Sequence, residues 1–342
     1  MTTRFSAVAF AMAMLIGCSS KEEKARAAAD AAEALLKAGD LPGAATAYEA
    51  ALKDFPTSVP VATGASYMAL LAGDSARADA ILAATEAEAA EALPQVKLRR
   101  SLAALHAGDL EKAKEHGLAS GLPAGKLIAA EVNLADGERD SAKATLTEIE
   151  GTPGAVGEVV GQYLALINSD NPMIAGLSEA QALWVLGERK VAVRSAEELV
   201  LSLPDDAANR DEQLMVWASR AATAGEPSIA RSLLDATIFP PDGQAWRKVA
   251  TSAIASCAEG DGTTCTDLFN SLEGVAPADG LADARATAAF LIAKQSPEVA
   301  KALAGPYVSN AAARALLEAG DGSGAADAAP GGVLASYLKA GG

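Results

Sequence analysis

Three cysteines, two histidines and a few acidic pairs are the residues of this 342-residue chain whose chemistry might reach beyond packing. Cys257 and Cys265 stand eight residues apart, across a stretch that holds Gly260 and Gly262. In an oxidising compartment two such thiols can close a short loop as a disulfide. The other reading is two buried thiols filling alanine-sized gaps, since the facing of the two Cβ atoms decides which holds. Cys18 stands where an apolar run, Phe5 to Ile16, stops, with Gly17 between. His106 and His116 have no second ligand type at metal spacing, so no metal site is expected. There is no HExxH, no nucleophile elbow and no Gly-rich loop between a strand and a helix. No catalytic residue and no cofactor are therefore assigned, and the chain is expected not to be an enzyme. Glu22-Glu23 and Asp205-Asp206 read as solvated surface rather than as acid/base pairs.

The formal net charge is −16. Such a surface repels phosphate, which argues against nucleic acid as a partner and against docking on an anionic lipid face. It keeps a long chain soluble. Half of the residues are hydrophobic, yet aromatics make up only 4%. That Ala/Leu-rich balance favours closely packed helices, with a core that is extended rather than thick.

The N-terminus has the parts of an export signal. Arg4 supplies the positive charge, and Phe5 to Ile16 is apolar but too short to stay in a bilayer as a spanning helix. Leu15-Ile16-Gly17-Cys18 then resembles the bacterial lipobox. The resemblance implies cleavage after residue 17 and acylation of Cys18, a stable anchor when more than one chain is attached. Ser19 in place of an aspartate implies, by similarity to the sorting pattern of such lipoproteins, an outer-membrane address facing the periplasm, with the inner membrane as the other possibility. An ordinary signal peptide with an incidental cysteine is the competing reading.

The elements that position these residues announce themselves by a repeat. A glycine is followed five residues later by an alanine at Gly39/Ala44, Gly73/Ala78, Gly108/Ala113, Gly137/Ala142, Gly187/Ala192, Gly225/Ala230 and Gly320/Ala325. Gly260/Cys265 and Gln295/Ala300 are variants. Seven residues before each turn stands a small residue: Ala32, Ser66, Ser101, Ala130, Ala180, Ala218, Ala253, Ala288 and Ala313. Two tightly packed antiparallel helices need a small residue where they cross and a helix stop between them. Nine such units in series predict an all-α array of helical hairpins.

The first three turns are spaced 34 and 35 residues apart, and Tyr48, Ala51 and Pro56 occupy aromatic, small and terminal-proline positions. The pattern resembles the tetratricopeptide repeat (TPR), without the helix A tryptophan of that family. The resemblance spans about 24–328 and implies a right-handed superhelix of about nine degenerate repeats with a concave, partner-binding face. From Gly137 to Gly187 the interval is 50, one period plus a helix, and Gly154 to Asn168 reads as the surplus helix. The expected organisation is a signal peptide over 1–17, a lipidated tether over 18–23, arrays over 24–150 and 173–328 separated by a junction at 151–172, and a cap or tail over 329–342.

The expected role is an interaction scaffold for other cell-envelope proteins or peptides, anchored to the membrane through Cys18. Gln181, Trp184, Arg247 and Ile254 are candidates for a peptide groove on the helix A faces, while the tryptophans at 184, 217 and 246 read chiefly as core. The alternative is a glycan-acting enzyme or ligand-binding superhelix. It would need paired carboxylates across a cleft, or an apolar pocket at the junction.

Overall fold

The structure, a computed structural model, describes residues 20–38, 40–87, 93–207, 209–238 and 243–329. Cys18 and the signal stretch, Gly39 and residues 330–342 of the expected cap or tail lie outside the described residues. The described residues form nineteen α-helices and no strand.

The chain divides into two compact units. The first, Met1–Leu122, holds three hairpins: α1 Lys21–Lys37 with α2 Leu41–Asp54, α3 Val59–Leu71 with α4 Ser75–Glu86, and α5 Leu93–His106 with α6 Leu110–Ser120. The second, Pro123–Gly342, opens with α7 Pro123–Ala135 and α8 Arg139–Glu148, followed by the lone helix α9 Ala155–Ile167. Five hairpins follow. They are α10 Pro172–Val185 with α11 Arg189–Leu201, α12 Arg210–Thr223 with α13 Pro227–Ala236, α14 Ala245–Glu259 with α15 Gly262–Ser271, α16 Ala278–Ile292 with α17 Pro297–Ala304, and α18 Asn310–Glu318 with α19 Gly322–Ala328. From α12 onward the first helix of each hairpin also packs on the first helix of the next.

The turn chemistry explains the alternation. At Gly73 the backbone is left-handed, φ +77°. Its N–H donates to the Leu70 carbonyl at 2.9 Å, and the Asp74 N–H donates to the Ala69 carbonyl at 2.8 Å. Those bonds satisfy carbonyls that α3 leaves open at its end. The Asp74 carboxylate then accepts from the Arg77 N–H and starts α4. One dipeptide thus ends one helix and begins the next. Asp109, Asp261 and Asp321 repeat the cap on Lys112, Thr264 and Gly324. After Gly137, Gly187 and Gly225 a glutamate stands there, and no side-chain cap bond forms. The turn at Gln295 works without a left-handed residue: the Ser296 N–H bonds the Ile292 carbonyl, and Pro297 opens α17.

The small residues mark the helix crossings. All nine pairs, from Ala32/Ala44 to Ala313/Ala325, are at most 2% exposed. Where serine replaces alanine at 101, its hydroxyl donates to the Ala113 carbonyl across the hairpin at 2.7 Å, so the polar atom is satisfied inside the contact. Larger residues reach onward. The Tyr48 ring lies against Gly64 of α3, where a Cβ would fall 2.0 Å from its Cε1.

Two boundaries differ from the expected ones. The helix expected to begin at Lys24 begins at Lys21, because Ser20 and Glu23 form a reciprocal capping box, with bonds of 3.1 and 2.8 Å. The tether expected over 18–23 therefore ends at the cap. The surplus helix is present as α9, but the division between units falls between Leu122 and Pro123, not in 151–172. The physical reason lies around α9. Its residues Val160, Tyr163, Leu164 and Ile167 are buried in one cluster with Ala130 and Leu134 of α7, Ala142 and Leu146 of α8, and Ala182 of α10. Arg139 adds an ion pair to Glu179 of α10 at 2.7 Å. The odd helix joins the fourth hairpin to the fifth instead of separating them.

Cys257 in the last turn of α14 and Cys265 in the first turn of α15 are joined by a disulfide, with Cα atoms 5.3 Å apart. The loop it closes is short, so the chain-entropy model assigns it about 2.5 kcal/mol. Reduction is expected to loosen this hairpin alone, since each hairpin in such an array leans only on its neighbours. Thiol counting by mass spectrometry after denaturation, with and without reductant, checks the bridge. Two free thiols in protein isolated without reductant would count against it.

Candidate binding groove

In the second unit α12, α14 and α16 lie side by side, each the first helix of its hairpin. Their outward faces enclose a groove of about 450 Å³. The lining follows helical spacing on all three: Glu212, Val216, Arg220 and Thr223 on α12, Arg247, Thr251 and Ile254 on α14, Asp283 and Thr287 on α16. Its floor is apolar, with Met215, Ala250 and Ile254 buried. Trp246 lines the wall beside Gly280, where a Cβ would come within 2.6 Å of the ring. Glycine is required there for the indole to seat.

Two ends can be told apart. Towards the helix starts lie Glu212, Asp283 and Arg247. Arg247 donates to the Gln244 side-chain oxygen at 3.1 Å, with its guanidinium 5.6 Å from the Trp246 ring centre. Towards the helix ends lie Arg220, Thr223, Ile254 and Thr287. The Arg220 guanidinium stacks on Trp217 at 4.4 Å and Trp184 at 5.4 Å. Burial holds its pKa below the ordinary arginine value, and the Tyr163 hydroxyl works weakly the other way.

Of the residues expected to form a groove, Arg247 and Ile254 line this one, while Gln181 and Trp184 do not. Gln181 and Trp184 lie on α10, outside the three helices that form it. Trp184 is also in a core-side register. It stands four residues after Ala180, just as Ala222 follows Ala218 and Cys257 follows Ala253, and both of those are fully buried. The Arg220 and Arg189 guanidinium groups lie over its ring, at 5.4 and 5.3 Å. Trp217 is core, at 2% exposure. Trp246 is half-buried and borders the groove. Arg220, Val216 and Asp283 were missed. They stand two after and two before Ala218 and five before Ala288, offsets that share no register, and the positions equivalent to Arg220 on α10 and α14, Ala182 and Ala255, are buried.

The reactive residues fall elsewhere. Glu131 of α7 is 6% exposed and accepts from the Tyr163 hydroxyl of α9 at 3.3 Å. Burial pushes its carboxyl up to about 7, opposed in part by that hydrogen bond, and burial likewise raises the Tyr163 phenol. This carboxyl is sealed in the packing around α9 and does not line the groove. His116 is pushed down by burial and then by the nearby Arg100. Among the described residues no group of three or more His, Cys, Asp or Glu is placed to hold a metal ion. Glu23 serves the α1 cap, and Asp205 pairs with Arg210 at 3.1 Å.

No protein-family model matches the sequence, and no curated protein matches it. Among solved structures, the TPR domain of P58(IPK) is similar at 14% identity. That alignment covers 87% of this chain and 97% of the P58(IPK) domain, with a TM-score of 0.26. The helical-hairpin architecture stands on the helix order and packing described above, not on that superposition.

Proposed function

We propose that this chain is a membrane-anchored, periplasm-facing TPR-like lipoprotein that serves as a protein–protein interaction scaffold in the assembly of a cell-envelope complex. The observation that carries the scaffold reading is the groove on α12, α14 and α16, with an apolar floor, hydroxyls along its length and charges at its ends. A groove of that make suits an extended polypeptide segment, the usual cargo of a helical array. The lipobox-like Leu15-Ile16-Gly17-Cys18 supports the anchor. With Ser20 already capping α1, an acylated Cys18 holds the first hairpin within roughly 7 Å of the bilayer surface.

Two measurements test the two halves. Metabolic labelling with a fatty-acid analogue is expected to mark the wild type and not Cys18→Ser, and the variant is expected to leave the membrane fraction. A labelled, membrane-bound Cys18→Ser protein would sink the anchor. Crosslinking with affinity purification from envelopes is expected to enrich a defined set of envelope proteins with the wild type. An absence of enrichment would count against the scaffold.

A further inference from the structure

We infer that the occupant of the groove is a polypeptide segment carrying a carboxylate that seats on Arg220, an inference that rests on the polypeptide-binding reading above.

The reason is a charge left uncompensated. Arg100, Arg139, Arg210 and Arg285, the other arginines of the described residues that are at least partly buried, each hold a carboxylate, at 2.7, 2.7, 3.1 and 2.9 Å. The Arg210 guanidinium also donates to the Leu203 and Ala236 carbonyls. These four are structural clips. Arg220 is also partly withdrawn from water, yet among the described residues it meets two indole rings and no carboxylate. The two rings lie against its guanidinium carbon, and no hydrogen bond among the described residues engages its donors. A partly desolvated guanidinium held in a fixed fork is the arrangement that binds a carboxylate most strongly and with the most defined geometry.

The rest of the groove sets where the carboxylate can go. Glu212 stands eight residues along α12 from Arg220, or about 12 Å, and Asp283 lies one turn before Thr287 on α16. They repel an acid there and leave the Arg220 end as its seat. Thr223 and Thr287 donate their hydroxyl protons to the Arg220 and Asp283 carbonyls, which leaves Arg220 as the donor at that end, and Ile254 adds an apolar surface for a neighbouring side chain. A chain of net charge −16 repels acidic partners at long range, so recognition must come from this local, sheltered cation rather than from overall charge.

The test is a random-sequence peptide display selection on the full chain in detergent. The best binders are then synthesised as acid and amide pairs, Glu or Asp against Gln or Asn. Affinities are read from tryptophan fluorescence against wild type, Arg220→Gln and Arg220→Lys, with circular dichroism to establish that each variant is folded. Selected peptides are expected to share an acidic position. Its amide is expected to bind about ten- to a hundredfold more weakly to the wild type and about equally to Arg220→Gln, with partial recovery in Arg220→Lys. Binders with no acidic position, or acid and amide forms that bind the wild type alike, would overturn the carboxylate while leaving the polypeptide groove standing. A selection that yields no binder would overturn both. The peptide-side comparison leaves the protein untouched, so it decides even where an arginine variant fails to fold.

Discussion

Replacing Trp217 with alanine is expected to cost about 3–5 kcal/mol in the second unit, the largest single-residue effect in this chain. Trp217 is the largest of the fully buried side chains, in a cluster where many of the other members are alanines. Alanine-rich crossings bring helix axes close but bury little area each, so a single indole contributes an unusual share. Its loss opens a cavity that short neighbours do not refill, and removes the nearer of the two rings against the Arg220 guanidinium. The damage should be confined. Amide hydrogen exchange is expected to rise over α11 to α14 and to stay unchanged in α18 and α19, because hairpins transmit stability only to neighbours. Uniform loss of protection, or none, would show that the hairpins are not coupled in that way. Trp246→Ala, at a half-exposed wall position, is expected to cost much less.

The second large effect is a dependence on pH. The folded chain keeps the Glu131 proton up to about pH 7, whereas its ordinary value is 4.5. Between those values the folded state binds more protons than the unfolded one, so stability falls as pH rises through that window. The favourable contribution is complete below about pH 4.5 and gone above about pH 7, a swing of about 3 kcal/mol. Glu131→Gln keeps a partner for the Tyr163 hydroxyl and removes the charge. It is expected to match the wild type near pH 4.5, to exceed it by up to that amount at pH 8, and to flatten the profile. Because arrays unfold in segments, the readout is the opening free energy of α9 amides by hydrogen exchange from pH 5 to 8. Identical profiles for variant and wild type would refute the buried, protonated carboxyl.

The hairpins could be read from the sequence because their determinants are local. Gly73-Asp74 ends one helix and caps the next with its own atoms, and Ala78 must be small wherever the next hairpin lies. The extra helix could be read for the same reason, as glycines and Pro172 bound Ala155–Ile167. The start of α1 was legible too, in Ser20 and Glu23, but the capping box was not used. The groove was not legible in full. Arg220 and Trp184 differ in what they face by the rotation of one helix against its neighbours, which no local pattern states. The TPR resemblance places Trp184 in the groove as a helix A position, although its register matches the buried Ala222 and Cys257. Glu131 gives no sign in the sequence that it is buried. Its burial follows from α9 packing across α7, a contact between residues 32 apart.

A photocrosslinking amino acid placed at Val216 in full-length protein in living cells tests the central claim most directly, that a polypeptide occupies the groove. Val216 is 38% exposed within the groove, and Val191, 49% exposed on α11, serves as the control outside it. The expected result is a discrete crosslinked polypeptide from Val216, absent from Val191 and diminished by Arg220→Gln. Equal crosslinking at both positions, or none at Val216, would contradict the account.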